Sequence, residues 1–306
     1  MDYCLPPDIR VFERGWLSSN NVLLTGRDHT ALVDSGYTTH SDQTLALVGH
    51  ALQGRPLDLL VNTHLHSDHC GGNFALQARY PELLTMIPPG EADAVLRWDQ
   101  TKLSYRATGQ ECPQFEFDLT LEPGTLVDLG GRAWEVHAAP GHDPHAVLLF
   151  EPVSHVLISG DALWERGFGV VFPEMWGEPS FDEVGATLDL IESLDPVCVI
   201  PGHGSAFDQV DCALATARDR LDAFVRSPEK HARHAFKVLI KFKLLDAKRI
   251  ARRQLVAWLD GAAYLQQMRQ RFAPDKELWE WSAELVGELT KSGAAREEGE
   301  FILDSP

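Results

Sequence analysis

Long apolar runs are missing from this 306-residue chain. With no stretch of about 18 apolar residues, it has no segment that reads as a membrane-spanning helix. Cysteine is sparse: Cys4, Cys70, Cys112, Cys198 and Cys212 are odd in number and show no C-x-x-C spacing. That usage argues against a disulfide framework and for a reducing compartment. Basic residues are also in deficit, with 27 Lys and Arg against 45 Asp and Glu. The formal net charge of −18 repels nucleic acid and anionic membranes at long range. The opening Met1-Asp2-Tyr3-Cys4-Leu5-Pro6-Pro7 has neither the charged region nor the apolar region of a secretory signal, so the expectation is a cytoplasmic protein. With 44% hydrophobic content, the length suits one sizeable core and a smaller appendage.

What the chain does have is a dense run of metal-ligand chemistry. Thr63-His64-Leu65-His66-Ser67-Asp68-His69 places three imidazoles and a carboxylate within one turn. Neutral imidazole and carboxylate are ligands for catalytic zinc, iron or manganese, and such sites keep a position open for water. Three further polar residues follow apolar runs that end in turns: His142 in Pro140-Gly141-His142-Asp143, Asp161 in Ser159-Gly160-Asp161, and His203 in Pro201-Gly202-His203-Gly204. Runs such as Leu59-Leu60-Val61, Val156-Leu157-Ile158 and Val197-Cys198-Val199-Ile200 are short, rich in β-branched residues and bounded by Gly or Pro, which reads as strands. Ligands at strand ends converge on one sheet edge.

Taken together, these residues resemble the metallo-β-lactamase-fold superfamily. Its His-x-His-x-Asp-His motif is matched by His64, His66, Asp68 and His69, and its downstream His, Asp and His fall in order at His142, Asp161 and His203. Ala31-Leu32-Val33-Asp34-Ser35-Gly36 matches the strand and turn before the motif, and Ser19-Asn20-Asn21-Val22-Leu23-Leu24 looks like the first hairpin. The resemblance covers roughly residues 8 to 210 and is specific because all seven ligands occur in order. It implies an α/β fold, a four-layer αββα sandwich over residues 1–210, with a smaller helical domain over 211–306. It further implies that His64, His66 and His142 hold one metal, that Asp68, His69 and His203 hold a second, and that Asp161 bridges them. The cofactor expectation is two divalent ions, zinc first, with iron or manganese as alternatives. An Asp at position 161 and the pattern around Asp68 and His69 place the chain on the glyoxalase II, lactonase and thioesterase side of the family. The motif departs from the common His-His-His of glyoxalase II at Leu65, and no glutathione-binding set can be placed.

Two divalent ions roughly 3.5–4 Å apart share a bridging water and lower its pKa toward neutrality, so the expected reaction is attack of a metal-bridging hydroxide on an ester, thioester or lactone. Asp68 is the expected catalytic carboxylate, orienting the hydroxide and moving its proton. Asp34 reads as a partner that fixes the ligand loop. His145 either assists substrate or lies on the surface, and Asp143 is a further carboxylate beside the ligands. Cys70 follows His69 yet heads a helix expected over Cys70 to Leu76, where a small structural residue is the simpler reading. Cys198 reads as a core residue. Two segments are expected to wall the cleft: Trp98 through Phe117 as a flap, and Trp164 through Phe172, with Trp164 and Phe168 as aromatic candidates.

After His203 the strand signals stop. Helical spacing recurs over Asp211 to Arg226, Ala232 to Leu245, Ala247 to Leu259, Ala262 to Arg271 and Glu277 to Thr290, and a terminal hairpin follows Gly293. This succession resembles a winged-helix-like module found after the catalytic domain in a family branch that includes endoribonucleases. Between Lys230 and Arg253 lie nine basic residues, among them Lys237, Lys241, Lys243, Arg249 and Arg252. They read either as phosphate contacts or as a solvated or docking helix face, and the second reading is preferred. The expected partner is a small-molecule acyl substrate, without nucleic acid or membrane, and a homodimer through the helical tail stays open. The competing functions are a metal-dependent phosphodiesterase or endoribonuclease, and a non-catalytic metal-binding scaffold.

Overall fold

The computed structural model describes residues 5–305, so Cys4 lies outside the described residues. Its strands run β1 (Ile9–Phe12), β2 (Asn21–Thr25), β3 (Thr30–Val33), β4 (Leu59–Val61), β5 (Leu84–Ile87), β6 (Leu119–Thr120), β7 (Leu126–Leu129), β8 (Arg132–Ala138), β9 (Val147–Glu151), β10 (Val156–Gly160), β11 (Cys198–Pro201), β12 (Arg249–Ala251), β13 (Ala295–Glu298) and β14 (Phe301–Asp304). The helices are α1 (Ser41–Leu52), α2 (Ser67–Cys70), α3 (Asn73–Arg79), α4 (Ala92–Arg97), α5 (Tyr105–Thr108), α6 (Ser180–Leu194), α7 (Val210–Arg226), α8 (Pro228–Ala247), α9 (Arg252–Gly261), α10 (Ala263–Phe272) and α11 (Leu278–Lys291). None is long and apolar enough to cross a membrane. The described residues divide into two units, the first running up to 103 and over 111–222, the second taking 104–110 and everything from 223 on.

In the first unit β1 to β6 form a six-stranded sheet in chain order, and β11, β10, β9, β8 and β7 form a five-stranded sheet. The central strands β2, β3, β9, β10 and β11 are buried on both faces. Val22, Leu24, Ala31, Val33 and Val61 from the first sheet share a core with Leu129, Trp134, Val136, Val147, Leu149, Ile158 and Ile200 from the second. The intervening residues Leu23, Leu32 and Leu60 turn the other way, onto Val48 and Leu52 of α1 and Leu76 of α3. On the second sheet Leu148, Leu157 and Val199 are fully buried, as are Leu188 and Ile191 of α6. Sheets inside and helices outside give the four-layer αββα arrangement. Each fully buried aliphatic side chain contributes about 1.5–3 kcal/mol.

The parallel pairings β3 with β4, β4 with β5 and β10 with β11 set the carboxyl ends of those strands side by side. Open α/β sheets place ligands at such ends. The helix expected over Cys70 to Leu76 is two pieces, α2 and α3, separated by Gly71 and Gly72. Only glycine fits at the junction: a Cβ on Gly71 would lie 2.5 Å from Ser67 O and 2.6 Å from Thr38 N.

The units part after Asp222, whereas the sequence suggested 210. Most of α7 docks on α6, where Arg218 pairs with Asp189 and Glu192, both at 2.8 Å. The second unit also takes in Ser104–Gln110, including α5, so the stretch from Trp98 to Phe117 is not one flap. Trp258 Nε1 donates to Gly109 O at 3.2 Å within that unit. Its α8 to α11 accompany a three-stranded sheet ordered β12-β14-β13, a helical module with a terminal hairpin. The helix expected from Ala247 begins only at Arg252, because Arg249–Ala251 pair as a strand with Phe301–Leu303.

The basic stretch is matched by acids of its own unit. Arg233 bonds Glu288, Lys237 lies 3.0 Å from Glu288, Lys243 2.9 Å from Asp246 and Arg252 2.8 Å from Glu297. Lys241 Nζ reaches Asp304 Oδ1 at 2.5 Å and donates to Ala294 O at 2.8 Å.

An ion pair ties the rims of the two sheets. Arg132 on β8 donates to both oxygens of Asp8, just before β1, at 2.6 and 2.9 Å. Those bonds hold the Asp8 carboxyl below its ordinary range against the opposing effect of burial. A depressed acid contributes its stability fully above the unfolded pKa of about 3.9 and loses it as pH falls through the folded value. Arg132→Ala should therefore lower stability by about 1 kcal/mol at neutral pH. Urea unfolding midpoints of the two proteins should converge as pH falls through the folded-state value of Asp8, below which it is protonated in both states.

Candidate metal centre

The centre is built where strands stop. His64, His66, Asp68 and His69 follow β4, His142 follows β8, Asp161 follows β10, and His203 follows β11. The structure brings all seven together. His64, His66 and His142 offer ligand atoms within 4.8 Å of one another, as do Asp68, His69 and His203, and so do His64, His69 and Asp161. Asp161 faces both of the first two sets. Its Oδ1 is 3.4 Å from His69 Nε2, and its Oδ2 is 3.5 Å from His142 Nε2 and 3.9 Å from His203 Nε2.

Hydrogen bonds from behind choose which ring nitrogen faces inward. Asp34 adopts φ 59°, a left-handed conformation that Asp tolerates better than bulkier residues. Its Oδ1 accepts from Thr63 N at 2.9 Å, and its Oδ2 lies 2.8 Å from both Thr63 Oγ1 and His69 Nδ1. His69 therefore presents Nε2 to the centre. His142 Nδ1 donates to Val170 O at 2.5 Å, and His64 Nδ1 meets Thr63 Oγ1 at 3.2 Å, so both present Nε2. His66 presents Nδ1, with its Nε2 3.7 Å from Asp143 Oδ2. Ligating histidines are oriented in this way, through the nitrogen they do not give to the metal.

Electrostatics separates these groups. Burial, reinforced by the neighbouring histidines, pushes His64 well below the ordinary histidine range, and burial with His66 nearby lowers His142 to about 4. Both are neutral at pH 7. Burial acts to raise Asp161, yet His203 and His69 outweigh it and hold the carboxyl well below its usual range. Burial likewise opposes ionisation of Asp68 and is the largest single influence, but the His203 hydrogen bond together with the charges of His69 and His203 outweighs it and lowers the carboxyl. His69 is the converse case, because Asp34 and Asp161 overcome burial and raise it.

The donor set fits divalent cations. His66 Nδ1 lies 3.1 Å from His64 Nε2 and 2.8 Å from His142 Nε2, so three imidazole nitrogens crowd one point. A single proton cannot satisfy all three. His69 Nε2 is buried without a hydrogen-bond partner although it faces Asp161. Two glycines allow this packing. A Cβ on Gly202 would lie 2.2 Å from Asp161 Oδ1, and one on Gly169 would lie 2.4 Å from His142 Nδ1.

The remaining predicted residues occupy different places. Trp164 Nε1 donates to Asp161 Oδ1 at 3.1 Å. Phe168 is buried with the Arg220 guanidinium 5.7 Å from its ring centroid. His145 is exposed, and its imidazole lies against Gly90, where a Cβ would be 2.1 Å from Nδ1. Asp143 is buried and accepts from His145 N at 2.7 Å. Nearby, Glu91 is pushed well above the ordinary carboxyl range, first by burial and then by Asp143.

Sequence reasoning missed Trp16 and the structural duty of Asn20, and it reached Phe172 only as the end of the segment from Trp164. Trp16 is 56% exposed and stacks on His203 with centroids 5.3 Å apart and planes 12° apart. It also meets Trp164 edge-on at 5.3 Å. Phe172 stands 6.0 Å from the His66 ring and 6.2 Å from the His142 ring. Asn20 holds the His203 loop by donating from Nδ2 to Pro201 O at 2.9 Å and to Gly204 O at 2.6 Å. A lone tryptophan in an Arg-Gly-Trp turn carries no spacing signal that would have marked Trp16.

Comparison with known proteins agrees with this geometry. The family model described as the metallo-beta-lactamase superfamily matches residues 14–203. A hydroxyacylglutathione hydrolase of Synechococcus sp. strain JA-3-3Ab is 30% identical over 174 residues, covering 56% of this chain and 60% of that protein. The chain thus spans about 60% of that relative's length. The human acyl-coenzyme A thioesterase MBLAC2 is 27% identical over 219 residues, 64% of this chain and 77% of that one. Among solved structures, a metallo-beta-lactamase family protein of Thermus thermophilus has a TM-score of 0.59 at 19% identity and covers 99% of this chain and 100% of its own. A protein solved in a di-iron-bound form has a TM-score of 0.53 at 26% identity, covering 68% of this chain and 98% of that one.

Asp34→Ala removes the acceptor that sets His69 and anchors Thr63. Equilibrium dialysis should show metal affinity falling about 10–100-fold while far-ultraviolet circular dichroism is unchanged, the range found when such orienting partners are lost.

Proposed function

The chain belongs to the metallo-beta-lactamase superfamily, and from that premise we propose that it is a binuclear metal-dependent hydrolase of an ester, thioester or lactone. One observation carries this reading: the two ligand sets His64-His66-His142 and Asp68-His69-His203 lie on either side of Asp161. In this reading His64, His66 and His142 would hold one divalent ion and Asp68, His69 and His203 another, with the Asp161 carboxylate between the two sets. Zinc suits the donors, and so do iron and manganese. When bound, such ions supply Lewis acidity, lowering the pKa of a water molecule toward neutrality and polarising the carbonyl under attack.

The chain's own residues supply the rest. Asp68, kept ionised by His203, orients the attacking water and accepts its proton on the carboxylate, then returns that proton to the leaving group. Asp34 keeps His69 in one tautomer. Trp164 holds Asp161 through its Oδ1, which leaves Oδ2 toward His142 and His203. Trp16 and Trp164 beside His203, with Phe172 beside His66 and His142, line the approach with apolar rings that exclude water and accept an acyl or thioether chain. Two names among the relatives, a hydroxyacylglutathione hydrolase and an acyl-coenzyme A thioesterase, support a thioester as the bond cleaved. The phosphodiesterase alternative draws less support, because many of the basic side chains it would enlist are paired within their own unit.

Metal content and turnover of thioester, lactone and bis-phosphodiester probes, measured before and after chelation, test the reaction. Chelation should abolish hydrolysis of an acyl probe, restoring metal should recover it, and Asp68→Ala should lower kcat by at least about 100-fold. Turnover confined to the phosphodiester would overturn the reading. Trp16→Ala should raise KM for a long-chain acyl thioester about tenfold, since one aromatic contact of about 1.5 kcal/mol corresponds to that factor, and should leave a short acyl substrate nearly unchanged.

A further inference from the structure

Beside the histidine cluster, the first unit brings two thiols together. Cys70 closes α2, directly after His69, and is fully buried. Cys112 lies 42 positions further along, half-buried, in an irregular stretch between residues 110 and 117. Their Sγ atoms are 3.8 Å apart. A disulfide needs a separation of about 2.05 Å, so closure asks for less than about 2 Å of movement.

That movement has one side free to make it. The backbone behind Cys70 is locked: Gly71 N donates to Ser67 O, Gly72 N donates to Gly36 O, and neither glycine has room for a Cβ. Cys112 has no regular structure around it and is accessible enough to meet a small oxidant. Its neighbour Glu111 is anchored through N to Tyr37 Oη at 3.2 Å, which keeps the thiol near α2.

We propose that Cys70 and Cys112 are a reversible redox pair, joined by a two-electron oxidant of the peroxide class, and that the bridge staples residues 111–117 to the helix bearing Asp68 and His69. The peroxide oxygen transfers to Cys112 Sγ, giving a sulfenic acid and releasing the first water or alcohol. Cys70 Sγ then attacks that sulfur, the S–S bond forms, and the sulfenic hydroxyl leaves with the Cys70 proton as water. A dithiol reductant reverses the change. In a reducing compartment such pairs act as transient sensors, not structural staples. The effect on the metals rests on the function proposed above; formation of the bridge does not.

The 306-residue chain is loaded with zinc and treated with hydrogen peroxide. Peptide mapping should then recover a fragment joined through Cys70 and Cys112, with two thiols lost and the mass lower by two hydrogens, and dithiothreitol should restore both. Cys112→Ser, a change at the half-buried partner that leaves the packed Cys70 intact, should give no such fragment. Zinc release to a chelator should be several-fold slower from the bridged protein than from the reduced protein, and equally fast from treated and untreated Cys112→Ser. Oxidation of Cys112 to a sulfinic acid without a bridge, or persistence of both thiols, would overturn the pair. A bridge that leaves zinc release unchanged would overturn the staple. Failure of the chain to take up zinc would count against the metal centre while the mass readout still decides the bridge.

Discussion

Several buried lone pairs aimed at the same small volume are the constraint on which the rest of this molecule depends. Imidazole nitrogens from His64, His66 and His142 meet at 2.8 to 3.1 Å, and the Asp161 carboxylate faces three histidines. Without a compensating positive charge such an arrangement costs several kcal/mol in lost hydration. The fold does not relieve that cost by letting the rings turn away. Asp34, Thr63 and the Val170 carbonyl hold them in place from behind, and Gly169 and Gly202 remove the atoms that would keep the ligands apart. A scaffold with no use for a cation gains nothing from this frustration, which is why the arrangement itself argues for a metal.

The αββα frame makes the convergence possible because four separate strands end at one edge. Each strand end carries its first ligand one to four residues beyond the strand's last residue, so the sheets fix the ligand backbones while the turns aim the side chains. The second sheet does not act alone. Asn20, beside the start of β2, clamps the loop of His203 after β11, and Ser19 N donates to Asp68 O at 2.9 Å. One short segment from the first sheet thus aligns ligands from both.

Much of this was legible in the sequence, for a physical reason. The ligands here are His and Asp, which are few enough to stand out, four of them cluster in the turn from His64 to His69, and the glycines and prolines that end the strands punctuate the remaining positions. The orienting role of Asp34 was readable from its place at a strand end, but its left-handed backbone was not. The walls were less legible because an aromatic side chain gains its role from what it stacks on. Trp164 stands three residues after Asp161 in sequence and bonds that carboxylate, whereas Trp16 reaches His203 only through the folded sheet. Phe168, four residues further along than Trp164, instead packs inward under Arg220. The boundary near residue 210 failed for a related reason: helical periodicity locates α7 but does not say that Arg218 fastens it to α6. The 104–110 insertion, too, is written only in tertiary contacts.

The same electrostatics links metal to stability. If the proposed ions bind the folded chain and not the unfolded one, they stabilise it by RT ln(1 + [L]/Kd), about 2.7 kcal/mol at 100-fold excess over Kd. The gain is larger in kind than a surface ion pair such as Arg97 with Asp93, both well exposed, because it removes repulsion that the native state must otherwise carry. Residues that aim the ligands therefore serve two ends at once. Loosening Asp34 would relax the crowded nitrogens of the metal-free protein while weakening its hold on metal, so the metal-free and metal-loaded forms should respond to the same substitution with opposite sign or very different size. A purely structural carboxylate would destabilise both forms alike, and comparing the two forms by thermal unfolding separates the cases.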